Sequence, residues 1–129
     1  MIEFDFKTIP LVQQRYSTLG DYYRITPTRW AFRVARFKDD RYALLVFIHE
    51  FVEFLLTQEH GITEEEITKF DKDHLDVDEP GALSGAPYHK EHMIAEAIER
   101  IVAGYLGIDW NDYEKACNEV FYEVTAKTE

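Results

Sequence analysis

The chain has 129 residues, 46% of them hydrophobic and 15% aromatic, which is the size and composition of one globular domain and not of a disordered segment. Fourteen Lys/Arg against 25 Asp/Glu give a net charge of −11, which repels phosphate backbones at long range and sets aside non-specific nucleic-acid binding. A single cysteine (Cys117), no run near the ~20 apolar residues of a membrane span, and acidic residues where a signal peptide would be basic lead to the expectation of a cytoplasmic protein without disulfides or membrane partners.

The first 38 residues read as strands. Ile2, Phe4 and Phe6 alternate with polar residues. Asp21–Ile25 forms a second run, Thr26-Pro27-Thr28 breaks it, and Trp30, Phe32 and Val34 recur at period two. A small antiparallel sheet with one wet face is expected. Residues 1–41 carry eight Lys/Arg and five Asp/Glu, so the acidic excess lies in the rest of the chain. Arg24, Arg29, Arg33, Arg36 and Lys38 read as the solvated side of these strands.

From Asp39 the pattern becomes helical. Asp39 or Asp40 can cap a helix whose apolar residues run from Tyr42 to Leu56, with Gly61 as its stop and His60 as a cation at its C-terminal end. Thr63 with Glu66 fits a capping box for a short acidic helix ending near Asp71. Residues 72–86 are a long loop of the kind that is often functional. Pro87 suits the first turn of a helix over about Tyr88–Leu106, ended by Gly107. Asp109 caps a last helix to about Val124, with Cys117 in its core-facing part. The fold class is α+β in one domain, residues 1–129: a strand-rich start (1–38), then about four helices (39–129).

The chemistry concentrates in the first long helix. Ala43–Leu56 is apolar almost all round except for His49, Glu50 and Glu53, which fall within an arc of about 100°. Two acids and an imidazole in apolar surroundings need compensation, and His with Glu at i, i+4 is a good bidentate spacing for a divalent cation. The second cluster is PYHKEHMIAEAIER, in which His89, His92, Glu96 and Glu99 share one helical face. If the two helices pack together, these side chains converge. Pairing of the acids with Arg100, Arg41 or Lys90 would satisfy the same burial without a metal. The acidic loop adds Asp71, Asp73, His74 and Glu79 as outer contacts, and Tyr88 could donate to a bound oxyanion.

The HExxE string, His49-Glu50-Phe51-Val52-Glu53, resembles the HExxH helix of zincin metallopeptidases, which also follows a sheet and is completed by a ligand from a later helix. That resemblance implies His49 and Glu53 as ligands, Glu50 as general base, and one of His92, His89 or Glu96 as the third ligand. It also implies zinc as the preferred ion and hydrolysis of a carbonyl or phosphoryl substrate. The departure is Glu53 where the family has a second His. The wider pattern HEFVEFLL, EPG, APYHKEH, AEAIER and GIDW resembles small phage- and prophage-type proteins, which supply no activity. The pairs Glu50/Glu53 and Glu96/Glu99 also resemble, loosely, the ExxE motifs of all-α MazG and dimeric dUTPase-type nucleotide pyrophosphohydrolases, which would take Mg or Mn. A third reading is a non-catalytic accessory protein whose helices are tied by a structural metal or an ion-pair cluster. The substrate, small molecule or peptide, is not legible, and self-association as a homo-oligomer stays open.

Overall fold

The computed structural model describes residues 1–128, with side chains described through Tyr122. Three strands open the chain: β1 (Glu3–Ile9), β2 (Gly20–Thr26) and β3 (Arg29–Ala35), in the order β1-β3-β2. Pro27 and Thr28 make the turn that pairs β2 with β3 in antiparallel register, Tyr22 opposite Phe32. β1 corrects the expectation of a wholly antiparallel sheet. It lies parallel to β3, Phe4 beside Trp30 and Phe6 beside Phe32. Period-two alternation sets which residues share a face, not which way a neighbouring strand runs. The ten residues between β1 and β2 carry the chain across the sheet, including a 3-10 turn at Leu11–Gln13.

One face of the sheet carries Phe4, Phe6, Tyr22, Trp30, Phe32 and Val34. Phe32 is fully buried and makes edge or tilted ring contacts with Phe4, Tyr22, Phe47, Phe51 and Phe54. This face packs on helix α1 (Asp40–Glu59). On the opposite face the arginines are held or solvated. Arg29 and Arg33 reach Asp5 (3.1 and 3.5 Å), whereas Arg24, paired with Trp30 at the end of the aromatic face, lies over that ring.

Helix α1 begins where the Asp39 carboxylate accepts from the Arg41 amide at 2.9 Å. It ends in a Schellman motif: Ile62 N–H donates to Thr57 O, Gly61 N–H to Gln58 O, and Gly61 takes φ 69°. Thr63 caps α2 (Glu64–Lys72) by accepting from the Glu66 amide at 3.2 Å. The long loop then makes one 3-10 turn at Pro80–Ala82. Helix α3 (His89–Tyr105) starts after Pro87, not on it. It ends in a second Schellman motif, with Ile108 N–H donating to Ala103 O and Gly107 at φ 73°. Asp109 caps α4 (Trp110–Thr128) by accepting from the Asp112 amide at 3.0 Å, and the helix continues past Val124.

Helices α1 and α3 are the main helical pair. They run antiparallel: His49, mid-α1, meets Glu99, while His60 at the end of α1 meets Glu91 at the start of α3. The sheet covers one side of α1 and α3 another. Among the described residues, no helix is long and apolar enough to cross a membrane.

Candidate metal centre

The apolar course of α1 buries His49 and Glu53 one turn apart, and α3 brings His92 against them. His49 Nε2, Glu53 Oε2 and His92 Nδ1 form a triangle with edges of 3.1, 3.2 and 3.2 Å. All three residues are buried, and their donor atoms make a group that could hold a metal ion.

The far atom of each of two ligands is held in place. His49 Nδ1 donates to Glu99 Oε1 at 2.9 Å, and Tyr113 of α4 donates to the other Glu99 oxygen. Glu53 Oε1 accepts from Tyr22 of β2 at 3.1 Å. With its proton on Nδ1, a neutral His49 turns the Nε2 lone pair toward Glu53 Oε2. Lone pairs facing each other at this distance repel unless a proton or a cation lies between them. Burial lowers the affinity of His49 for a proton, but hydrogen bonds to Glu53 and Glu99 outweigh it and hold the imidazole pKa well above its ordinary value. His92 behaves alike. Burial pulls it down, Glu53 and Glu79 pull it up, and it reaches about 9. Burial would raise Glu53, yet the two imidazoles bring it to about 2. The group is a strong trap for positive charge.

A cavity of about 200 Å³ opens beside the triangle. Its lining includes nine Asp/Glu and two His (His49 and His92) but no Lys or Arg. Glu50 faces it from α1 and makes no hydrogen bond or ion pair with any described residue. Burial, and then the neighbouring Glu53 charge, raise its pKa well above the usual carboxylate range. Arg100, which could have neutralised Glu50, is exposed; it stacks on Trp110 and reaches Glu114 at 3.9 Å.

The remaining expected residues divide. Glu79, on the long loop, stands 3.7 Å from His92 Nε2, too far for a direct hydrogen bond, and that nitrogen has no partner. The nearby His92 imidazole is the first cause holding Glu79 below the usual carboxylate range. Tyr88 lines the cavity but donates to Asp71, which also accepts from Tyr16 at 2.7 Å. His89 and Glu96 are not in the three-residue group. His89 is in the first turn of α3, and its Nδ1 is spent on the Gly81 carbonyl at 3.0 Å. Glu96 is half-buried, and burial, then the Glu79 charge, raise its pKa. Of the two ExxE pairs, Glu50, Glu53 and Glu99 line the cavity and Glu96 does not, while Glu99 accepts from His49. His74 stacks on Phe70 and also stays outside the site.

Sequence reasoning did not find Tyr22, Tyr113, Gly20 or Gly81. Each tyrosine adds a hydroxyl to a ligand's support, Tyr22 at Glu53 and Tyr113 at Glu99 behind His49. A Cβ on Gly81 would sit 2.6 Å from the His92 ring, and one on Gly20 2.6 Å from the Glu50 side chain. No local signal marks those glycines, since neither has a positive φ. No protein-family model, curated protein or solved structure matches the chain.

Proposed function

We propose that the protein is a divalent-metal-dependent hydrolase, with zinc held by His49 Nε2, Glu53 Oε2 and His92 Nδ1 and with Glu50 as general base. The observation that carries this reading is the buried triangle of donor atoms at 3.1–3.2 Å. Tetrahedral ligand atoms 2.0–2.1 Å from a zinc ion stand roughly 3.3–3.4 Å apart, so the triangle needs little adjustment to receive one. Two imidazoles favour zinc over magnesium, which prefers oxygen ligands. Three protein ligands beside a cavity leave a position for water or substrate, the pattern of catalytic rather than structural zinc.

Bound there, the ion would acidify a water and polarise a substrate carbonyl. The chain's own part follows from the geometry. Glu99, backed by Tyr113, fixes the His49 tautomer and ring orientation. Tyr22 fixes the Glu53 carboxylate. Glu50, free of any cationic partner and raised in pKa, is suited to take a proton and pass it to a leaving group. An acidic lining without Lys or Arg fits a peptide or amide better than a phosphate ester.

The test is zinc titration of metal-free protein, with cleavage of a mixed peptide library read by mass spectrometry. His92→Ala and His49→Ala are expected to lose zinc binding. Glu50→Gln is expected to keep it and to lose turnover by roughly 100-fold or more. Turnover retained in Glu50→Gln contradicts the general-base role. Zinc bound with no turnover in the parent would favour the second reading, a structural centre tying α1 to α3, which the direct His49–Glu99 and His92–Glu53 bonds also support.

A further inference from the structure

The sides of α1 and α3 facing away from the cavity are apolar and, among the described residues, only partly covered: Ile48 and Phe51 also touch the core and the sheet. On α1, Leu44, Ile48, Phe51 and Leu55 follow the spacing i, i+4, i+7, i+11, and Leu55 is 57% exposed. On α3, Ile94, Ile98, Ile101 and Tyr105 repeat the same spacing, with Ile101 71% and Tyr105 92% exposed. Each set makes one stripe along its helix. On each helix the buried ligand residues face roughly the opposite way, and α1 packs directly on α3. The two stripes therefore adjoin on one face of the helix pair. Between the α3 residues the exposed positions include Ala97 and Gly104, seven apart, where a facing backbone can come close. The exposed charged residue among Met93–Leu106 is Arg100, turned aside onto Trp110. In a chain with a net charge of −11, no carboxylate is exposed between Leu44 and Leu55 of α1 or between Met93 and Leu106 of α3; Asp40 and Glu59 lie at the ends of the α1 stripe.

At these exposures the eight side chains present on the order of 800 Å² of surface, about what each partner buries in a standard interface and above the roughly 300–600 Å² of a typical largest monomer patch. The face is also built for self-pairing. Two parallel-sided stripes with the heptad-like spacing of a helical bundle can meet their own copies about a two-fold axis, burying four helices in one layer.

We propose that this face is the interface of a homodimer, in which α1 and α3 pack on α1 and α3 of a second copy. The cavity opens on the other side of the helix pair, so both sites of the dimer stay accessible. The inference does not depend on the metal reading.

Sedimentation equilibrium over a wide concentration range tests it. The parent is expected at twice the chain mass, with or without chelator. Tyr105→Ser removes a side chain with almost no burial in the monomer, so it cannot act by unfolding the chain; Ile101→Lys places a charge at the centre of the stripe. Each is expected to weaken the dimer roughly 30-fold or more while the circular dichroism spectrum stays that of the parent. Glu65→Lys, exposed on α2, is expected to leave the dimer intact. A parent at the chain mass, a parent at any mass other than twice the chain, or a dimer unmoved by both substitutions would overturn the proposal.

Discussion

Gly20 and Gly81 lack side chains where two site residues need the space. Neither glycine takes an unusual φ, so the requirement is one of contact and not of backbone freedom. Gly81→Ala is expected to push the His92 ring out of the triangle and weaken zinc binding roughly 10- to 100-fold, the usual effect of disturbing a ligand's support. Calorimetric zinc titration checks this, and unchanged affinity would mean the loop yields instead. Asp71 gives a second test at this scale. Burial, then the charges of Glu53 and Asp21, push its carboxyl up to about 6 against the pull of two tyrosine hydrogen bonds. The folded chain therefore holds this proton more tightly than the unfolded chain, whose aspartates titrate near ~3.9. The stabilisation is fully present below about pH 4 and is lost as pH rises through about 6. Relative to Asp71→Asn, the parent should lose about 3 kcal/mol between about pH 4 and pH 7 in urea unfolding, and a flat difference would contradict the raised value. Of the candidate-site residues, His49, Glu50 and Glu53 were legible because polar groups on an apolar helix stand out. The choice of His92 over His89 and Glu96 was not, because it depends on the helix crossing and on Gly81's carbonyl engaging His89.

At the scale of elements, punctuation did most to make the helices readable. Asp39, Thr63 and Asp109 cap where their side chains reach orphan amides, and Gly61 and Gly107 stop where a left-handed residue is needed. Gly107→Ala forces a Cβ onto φ 73° and is expected to cost about 1 kcal/mol in denaturant unfolding. No loss there would mean that the α3–α4 corner is not held by its Schellman motif. The sheet was only half legible. The Pro27–Thr28 turn announced the β2–β3 hairpin, but the parallel seating of β1 depends on burying Phe4 and Phe6 against Phe32 and Phe47, a tertiary choice. The 3-10 turn of the long loop supplies both Gly81 and the approach of Glu79 to His92, neither of which the loop's composition announced.

Across the whole molecule, the sheet's aromatic layer clamps α1, α3 completes the site on one flank, and α4 adds Tyr113 behind it. Two surfaces then remain: an acidic cavity and an uncharged helical face. The proposed metal site places one divalent ion among His49, Glu53 and His92. X-ray absorption at the zinc edge on stoichiometrically loaded protein tests it most directly. The expected first shell holds two imidazole nitrogens plus oxygen at roughly 2.0–2.1 Å, with imidazole scattering reduced in His92→Ala. A shell of oxygens alone, a sulfur ligand, or a spectrum unchanged in His92→Ala would contradict it.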